Sequence, residues 1–472
     1  VTPRKAVNRT YDEIAVGDSA AETRMLTADD LVLFAHASGN LNPIHLPGRQ
    51  GEGDEAEAVA PDMWIASLFS SVLGNRLPGP GTRYRSQTVR FLAPARVGDT
   101  LTTTVTAKLK LADSVIVFDG RSVNQHGTVV AEAEAEVVAP TRRVTLEDAG
   151  LPRLALARRA KFDALIAACA PLAPLRTAIA HPCDGPSLAG AIEAARARLI
   201  VPILVGPRAR IEAAAAGAGL DLADIEIVET PHSHASAARA VALVHEGRAQ
   251  AVMKGALHSD ELLAEIVKRE GGLRTKRRVS HAFVLDAPVL DHLLIVTDAA
   301  INILPDLMTK ADITQNAIDL ARAIGIARPK VAVMSAVEIV NPAIPSSIDA
   351  AVLSKMADRG QITGGIVDGP LAMDNAIDLD AARTKGITSL VAGRAEILVV
   401  PNLEAGNMLA KNLTFVAQAD SAGLVLGASV PVMLTSRADD VRARLASAAL
   451  AVLYRHWQTT GTSAMSAAER AA

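Results

Sequence analysis

With 472 residues the chain exceeds one ordinary domain, and two or three are expected. Half of it is apolar but only 3% aromatic, so its cores must be filled by Ala, Val, Leu and Ile. A net charge of -3, from 48 basic and 51 acidic residues, gives no electrostatic footprint for nucleic acid. The two cysteines, Cys169 and Cys183, have neither CxxC nor other metal-ligand spacing, so reduced thiols and no metal are expected. Residues 1–19 are polar, and nowhere does an apolar run reach about 18 residues. A cytoplasmic protein with no membrane segment is the expectation.

Residues 1–140 have a helix-then-sheet rhythm. Thr27-Ala-Asp29-Asp30 sets an N-cap and first-turn acids at the start of a helix through about Ala37. A second helix, from about Asp62 to Gly74, is apolar nearly all round and is expected to be buried. It stops at Leu77-Pro-Gly-Pro-Gly, after which the period becomes two. Leu101, Thr103, Val105, Ala107 and Leu109 alternate with Thr and Lys; Val129, Ala131, Ala133, Ala135 and Val137 alternate with Glu132, Glu134 and Glu136. Strands with one wet face around one buried helix predict an α+β domain.

A charged, aperiodic stretch, 141–160, reads as a linker. From 161 to 456 the rhythm is alternating β/α, with buried-type strands at 200–205, 251–253, 292–296, 331–334 and 397–400 between Ala-rich helices. That pattern predicts a mostly parallel sheet covered on both faces, with functional loops at the strand C-terminal ends. The tail 457–472 is expected to fray from Thr460 onward.

Three loops in this half carry chemistry: Asp368-Gly-Pro-Leu-Ala-Met-Asp374-Asn375, Pro401-Asn-Leu-Glu-Ala-Gly406-Asn407-Met-Leu-Ala-Lys411, and Leu434-Thr-Ser436-Arg437-Ala-Asp439. Taken singly, Asp368 and Asp374 read as a loop carboxylate and a helix cap, and Gly406 as a strand-to-helix turn. Lys254 is either a phosphate contact or a structural lysine. The basic run Arg274, Lys276, Arg277, Arg278 either meets phosphates or is a solvated cluster. Together the loops suit acyl-phosphate chemistry. A guanidinium fork neutralises charge on phosphate oxygens, a hydroxyl adds a hydrogen bond, and a carboxylate takes a thiol proton.

These loops resemble the phosphate acetyltransferase/phosphate butyryltransferase family. So do Met253-Lys254-Gly255-Ala-Leu-His258-Ser259-Asp260, Ser280-His281-Ala-Phe, Thr297-Asp298-Ala299-Ala-Ile-Asn302 and Lys355-Met-Ala-Asp-Arg359-Gly-Gln361-Ile-Thr-Gly364. The resemblance implies two α/β subdomains related to the isocitrate/isopropylmalate dehydrogenase fold, with the active site in the cleft between them. It also implies direct acyl transfer between coenzyme A and phosphate, both as substrates, with no permanently bound cofactor and no metal. A homodimer or higher homo-oligomer is implied as well. It assigns Ser436 and Arg437 to the phosphate and oxyanion, and Asp439, with Asp440 as rival, as the base. Asp374, Asn407 and Lys411, with Lys254 and Asp368, become substrate-binding candidates. Acetyl-specific relatives carry an Arg one turn after the lysine; here Phe415 stands there, nearer the butyryl-type pattern, which points to an acyl group longer than acetyl.

Residues 33–45 (Leu-Phe-Ala-His-Ala-Ser-Gly-Asn40-Leu-Asn42-Pro43-Ile-His45) resemble MaoC-like hot-dog domains, as do Ser67-Leu-Phe-Ser70 and Gln87…Arg90-Phe91…Pro94…Val97-Gly98-Asp99. Active R-specific enoyl-CoA hydratases of that family use an Asp-His pair, with a glycine N–H on the thioester carbonyl. Here His45 and Ser70 are kept, but the Asp place is Asn40 and the His-Gly before the central helix is Pro61-Asp62. An amide is no carboxylate base, so a degenerate hydratase site is expected, in a domain that pairs or holds acyl-CoA. The alternatives are a working bifunctional enoyl-CoA hydratase/phosphate acetyltransferase, a dehydrogenase on the isocitrate-like fold, and a non-enzymatic scaffold.

Overall fold

The computed structural model describes residues 6–46, 58–146, 160–434 and 440–465. The chain divides into two compact units, Val1–Leu156 and Ala157–Ala472.

In the first unit the period-two segments pair into a five-stranded antiparallel sheet. Its order is Ser19–Met25, Thr100–Lys110, Val115–Val123, Val129–Val138, Arg83–Phe91. The sheet packs on the helix Asp62–Asn75, which buries Trp64, Ile65, Leu68, Phe69, Val72 and Leu73. Each of these large side chains contributes about 1.5–3 kcal/mol on leaving water, which offsets the ordering of a helix otherwise poor in caps. Gly120 makes the fit possible: a Cβ there would lie 2.7 Å from the Phe69 ring. The helix Ala28–Ser38 starts as expected, with Thr27 and Asp30 forming a capping box, and ends at the left-handed Gly39. The unit runs past the expected boundary at 140. Ala6–Val7 pairs antiparallel with Thr145–Leu146, and the Asn8 side chain donates to Arg142 O at 2.9 Å and accepts from Val144 N at 2.7 Å. The first part of the expected linker is thus stitched onto the first unit.

The second unit is built on one eleven-stranded sheet. Five parallel strands form one block, in order Glu226–Glu229, Ile200–Gly206, Leu175–Ala180, Ala251–Lys254, Val432–Met433. Four form another: Leu294–Thr297, Ile397–Val399, Lys330–Met334, Ile366–Leu371. Between them Asp420–Leu426 and Ser280–Asp286 are antiparallel to each other, the former also to Val432–Met433 and the latter to Leu294–Thr297. The two blocks therefore run in opposite directions, and the loops following their strands leave at opposite ends of the ladder. The strand expected at 292–296 begins only at Leu294, because the His292 ring lies between the Asp291 carboxylate, 2.8 Å away, and the Ala395 carbonyl, 3.2 Å away. The closing helix Val441–Thr460 is buried along Ala446 to Tyr454. Fraying was expected from Thr460, yet Gly461 caps the helix, Ser463 Oγ donates to Ala323 O at 2.8 Å, and Met465 is buried. Among the described residues no helix is long and apolar enough to cross a membrane.

Candidate active site

The loop after Leu294–Thr297 is organised by one carboxylate. Asp298 accepts from the backbone N–H groups of Ala300, Ile301 and Asn302 at 3.0–3.1 Å and from Asn302 Nδ2 at 2.6 Å. Burial pushes its carboxyl above the ordinary range against the pull of these donors. Asn302 also donates to Val279 O, tying the loop to the neighbouring strand's entry. Sequence reasoning used this segment only as a family marker; its Asp-x-x-x-Asn spacing after an apolar strand was the available signal.

Asn402 caps the helix Leu403–Phe415, accepting from Ala405 N, and Leu403 N donates to Ile303 O at 3.1 Å, just beyond the Asp298 loop. Gly406 makes the contact close: a Cβ would meet Val400 at 2.6 Å, Asp298 O at 2.9 Å and Ala299 Cα at 3.0 Å. Beside it Asn407 Nδ2 donates to Ala299 O at 3.1 Å. One turn on, exposed Lys411 lines a cavity of about 240 Å³ together with Phe283, Phe415, Asp420 and Asp440. Asp440 also caps the helix Val441–Thr460 through Ala443 N at 2.8 Å.

The other candidates fall elsewhere in the unit. Asp368 lies on the edge strand Ile366–Leu371, where its carboxylate accepts from its neighbour Gly369 N and from the Ser389 hydroxyl. Asp374 pairs with Lys385 at 3.0 Å, and this hydrogen-bonded ammonium holds its carboxyl below the usual range. Lys254 ends a strand of the opposite block and is buried, its ammonium donating to Leu257 O at 3.2 Å. The structure thus brings Lys411 and Asp440 to one cavity and Asn407 to the Asp298 loop; Lys254 ends the strand paired with Val432–Met433, and Asp368 lies on the strand at the edge of the sheet. Ser436, Arg437 and Asp439 lie outside the described residues. In the basic run, Arg277 pairs with Asp319.

In the first unit, Asn40 Oδ1 accepts from Asn42 N at 3.1 Å, and Asn42 caps the short turn Pro43–His45. His45 Nδ1 donates to Val59 O at 2.9 Å, and Val59 N donates to Ile44 O at 3.2 Å. These bonds pin the 40–45 loop to the segment that leads into the central helix, whose first residue is the exposed Asp62. Ser70, two turns further along, is a hydrogen-bond partner of the Tyr84 phenol, which burial pushes up to about 12.

Comparison with known proteins agrees with both halves. Residues 233–452 match the family model "Phosphate acetyl/butaryl transferase", and residues 15–124 match "MaoC like domain". A phosphate acetyltransferase of Rhizobium meliloti is 63% identical over 298 residues, covering 63% of this chain and 94% of that protein. A phosphate butyryltransferase of Clostridium acetobutylicum is 44% identical over 278 residues, covering 59% and 92%. The crystal structure of a branched-chain phosphotransacylase from Enterococcus faecalis V583 aligns with TM-score 0.52 at 30% identity, covering 60% of this chain and 99% of that one. The chain carries a MaoC-like domain fused to a transferase domain, and it belongs to the phosphate acetyl/butyryltransferase family.

Proposed function

We propose that the second unit is a phosphate acyltransferase that interconverts a short-chain acyl-CoA plus phosphate with an acyl phosphate plus CoA. The first unit is a hydratase-like domain used for pairing or for holding acyl-CoA. The observation that carries this reading is the 63% identity to a phosphate acetyltransferase over nearly all of that protein's length. The reaction is direct. The thiol sulfur attacks the acyl carbonyl carbon, the C–S bond forms, the bond from that carbon to the bridging oxygen breaks, and phosphate leaves with that oxygen. A thiol with a pKa near about 8.5 needs a base for this, and Asp439 takes its proton. Asp440, the rival, spends one carboxylate oxygen capping a helix, which supports that choice. Ser436 and Arg437 hold the phosphate oxygens where charge develops. Lys254 and Lys411 supply cations for substrate phosphates, while Asp368, Asp374 and Asn407 position the surrounding loops. Coenzyme A and phosphate enter as substrates rather than as a resident cofactor. Two opposed parallel blocks support an isocitrate/isopropylmalate dehydrogenase-like arrangement of two subdomains, and a homodimer is the proposed assembly.

The test is phosphate-dependent thiol release from acetyl-, propionyl- and butyryl-CoA by the wild type and by Arg437→Ala. Removing the arginine should cost at least about 2.7 kcal/mol of transition-state stabilisation, the scale of one lost charge-stabilising donor. Near-wild-type kcat/KM in the variant would remove Arg437 from this role.

A further inference from the structure

The ladder between Ser280–Asp286 and Asp420–Leu426 ends on two like charges, because Asp286 and Asp420 are directly opposite in register. Such a pair is unfavourable unless cations compensate it. Lys161, on the helix Ala160–Ala168, meets the buried Asp286 at 2.7 Å. Arg442, in the first turn of Val441–Thr460, sets Nε 3.7 Å from Asp420 and Nη2 2.8 Å from Asp163. Its guanidinium thus ties Asp420 to the helix Ala160–Ala168. Asp420 also lines the cavity of about 240 Å³, together with Asp440 and Lys411. An ammonium that shares a cavity with two carboxylates is ordinarily drawn to one of them. Among the described residues Lys411 makes no such pair. Both carboxylates are engaged elsewhere, Asp440 on Ala443 N and Asp420 on Arg442.

We infer that Arg442 is a positioning residue for the transferase: by holding Asp420 it keeps Lys411 unpaired and so available to a phosphate group of a substrate. The inference rests on the phosphate acyltransferase reading, with Lys411 as a cation for substrate phosphates. Arg442 acts through Asp420 and Lys411 rather than on the substrate. The group bound is the reacting phosphate or one of the phosphates of coenzyme A; an ammonium recognises the oxygens of either in the same way. Without Arg442, Asp420 faces Asp286 across the ladder and turns to Lys411. A partly exposed ion pair of that kind biases an equilibrium by up to about fivefold, which sets the size of the expected effect on KM.

The experiment varies phosphate and acyl-CoA in turn in the thiol-release assay on the full-length chain. Wild type is compared with Arg442→Gln, Arg442→Lys, Lys411→Ala and two double variants, Arg442→Gln with Asp420→Asn and Arg442→Gln with Lys411→Ala. Both ion pairs of Arg442 are partly exposed, so these variants should fold, and thermal melting checks that they do. Arg442→Gln should raise KM for at least one substrate about 2–5-fold while kcat changes less than ~2-fold. Arg442→Lys should stay nearer the wild type, since it keeps a cation for Asp420. Adding Asp420→Asn to Arg442→Gln should return KM to within ~1.5-fold of the wild type, because an amide has no charge to offer Lys411. A merely structural bridge would not be repaired in this way, since the double variant has lost both of its ends. Lys411→Ala should raise the same KM at least as far, and adding Arg442→Gln to it should raise KM no further. A rise in KM for phosphate puts Lys411 on the reacting phosphate, and a rise in KM for acyl-CoA puts it on a phosphate of coenzyme A; either supports the inference. Three results overturn it and leave the acyltransferase reading standing: an unmoved KM in Arg442→Gln, a defect that Asp420→Asn does not repair, and losses that add when Arg442→Gln joins Lys411→Ala. Absence of thiol release from every acyl-CoA removes the acyltransferase reading itself, and this inference with it.

Discussion

His281 shows how a family-marking residue acquires a physical role that its sequence position does not announce. It sits in the central strand Ser280–Asp286, opposite Val425, with its ring against the Cα of Gly423, where a Cβ would lie 2.9 Å from Nε2. The ring is fully buried, and burial alone lowers its pKa from 6.5 to about 4. The folded protein therefore holds a neutral imidazole where the unfolded chain would bind a proton. Stability from this group is present above about pH 6.5 and is lost as pH falls from there towards 4, to an extent on the order of 3 kcal/mol when fully developed. Urea unfolding followed through Trp457, in a Trp64→Phe background, should show second-unit stability falling between pH 7.5 and pH 5. His281→Gln should flatten that slope whatever it does to stability at pH 7.5. An unchanged slope would show that His281 does not carry the effect.

At the scale of elements, the helix Leu403–Phe415 is the part on which the site depends most. In the sequence Gly406 reads as a strand-to-helix turn, but the helix begins at Leu403 under an Asn402 cap, and Gly406 lies inside it, where its small size rather than a left-handed backbone is used. What that glycine packs against was not readable, because the Asp298 loop lies more than a hundred residues earlier. The same holds for the sheet. Five of its eleven strands were named from the sequence as apolar runs, but Ser280–Asp286 and Asp420–Leu426 were not; their antiparallel pairing is non-local, and a buried run reads alike in either direction. Placing all the candidate loops at one end of a parallel sheet was thus beyond what periodicity can decide. The pairing of Asp374 with Lys385 was equally hidden, because it is made across two short helices, Met373–Ile377 and Leu379–Thr384, that turn about Asp378. Gly406→Ala tests the dependence directly. Its methyl would strike Val400 and the backbone of Asp298 and Ala299, so about 1–3 kcal/mol of stability should be lost. The Asn407 bond to Ala299 should loosen, and kcat/KM for acyl transfer should fall while the protein remains folded. Wild-type stability together with wild-type kcat/KM would show that the seat is not tight.

At the scale of the whole chain, two units were legible because their periods differ, two against alternating strand and helix. Their boundary was placed too early because a two-residue strand, Thr145–Leu146, carries no periodic signal of its own. The first unit keeps a MaoC-like frame, and the proposal that this frame does not hydrate turns on two residues. With Nδ1 donating to Val59 O, His45 presents Nε2 as an acceptor, the tautomer a general base needs. Its partner is missing: Asn40 accepts a backbone N–H within its own loop and has no carboxylate to share the work. A positioned base contributes about 10²–10⁴-fold, and the exposed Asp62 side chain opens the helix at the place where the resemblance to R-specific hydratases puts the glycine N–H for a thioester carbonyl. Wild-type chain should therefore hydrate crotonyl-CoA no faster than His45→Ala does. The combined Asn40→Asp, Asp62→Gly substitution should raise hydration at least ~100-fold, by restoring the base and clearing the N–H. Phosphate-dependent thiol release, measured on the same preparations, should be unaltered in all of them, because the residues changed belong to the other unit. Hydration by the wild type that disappears in His45→Ala would make the chain bifunctional and would show that an amide at position 40 is enough to hold the attacking water.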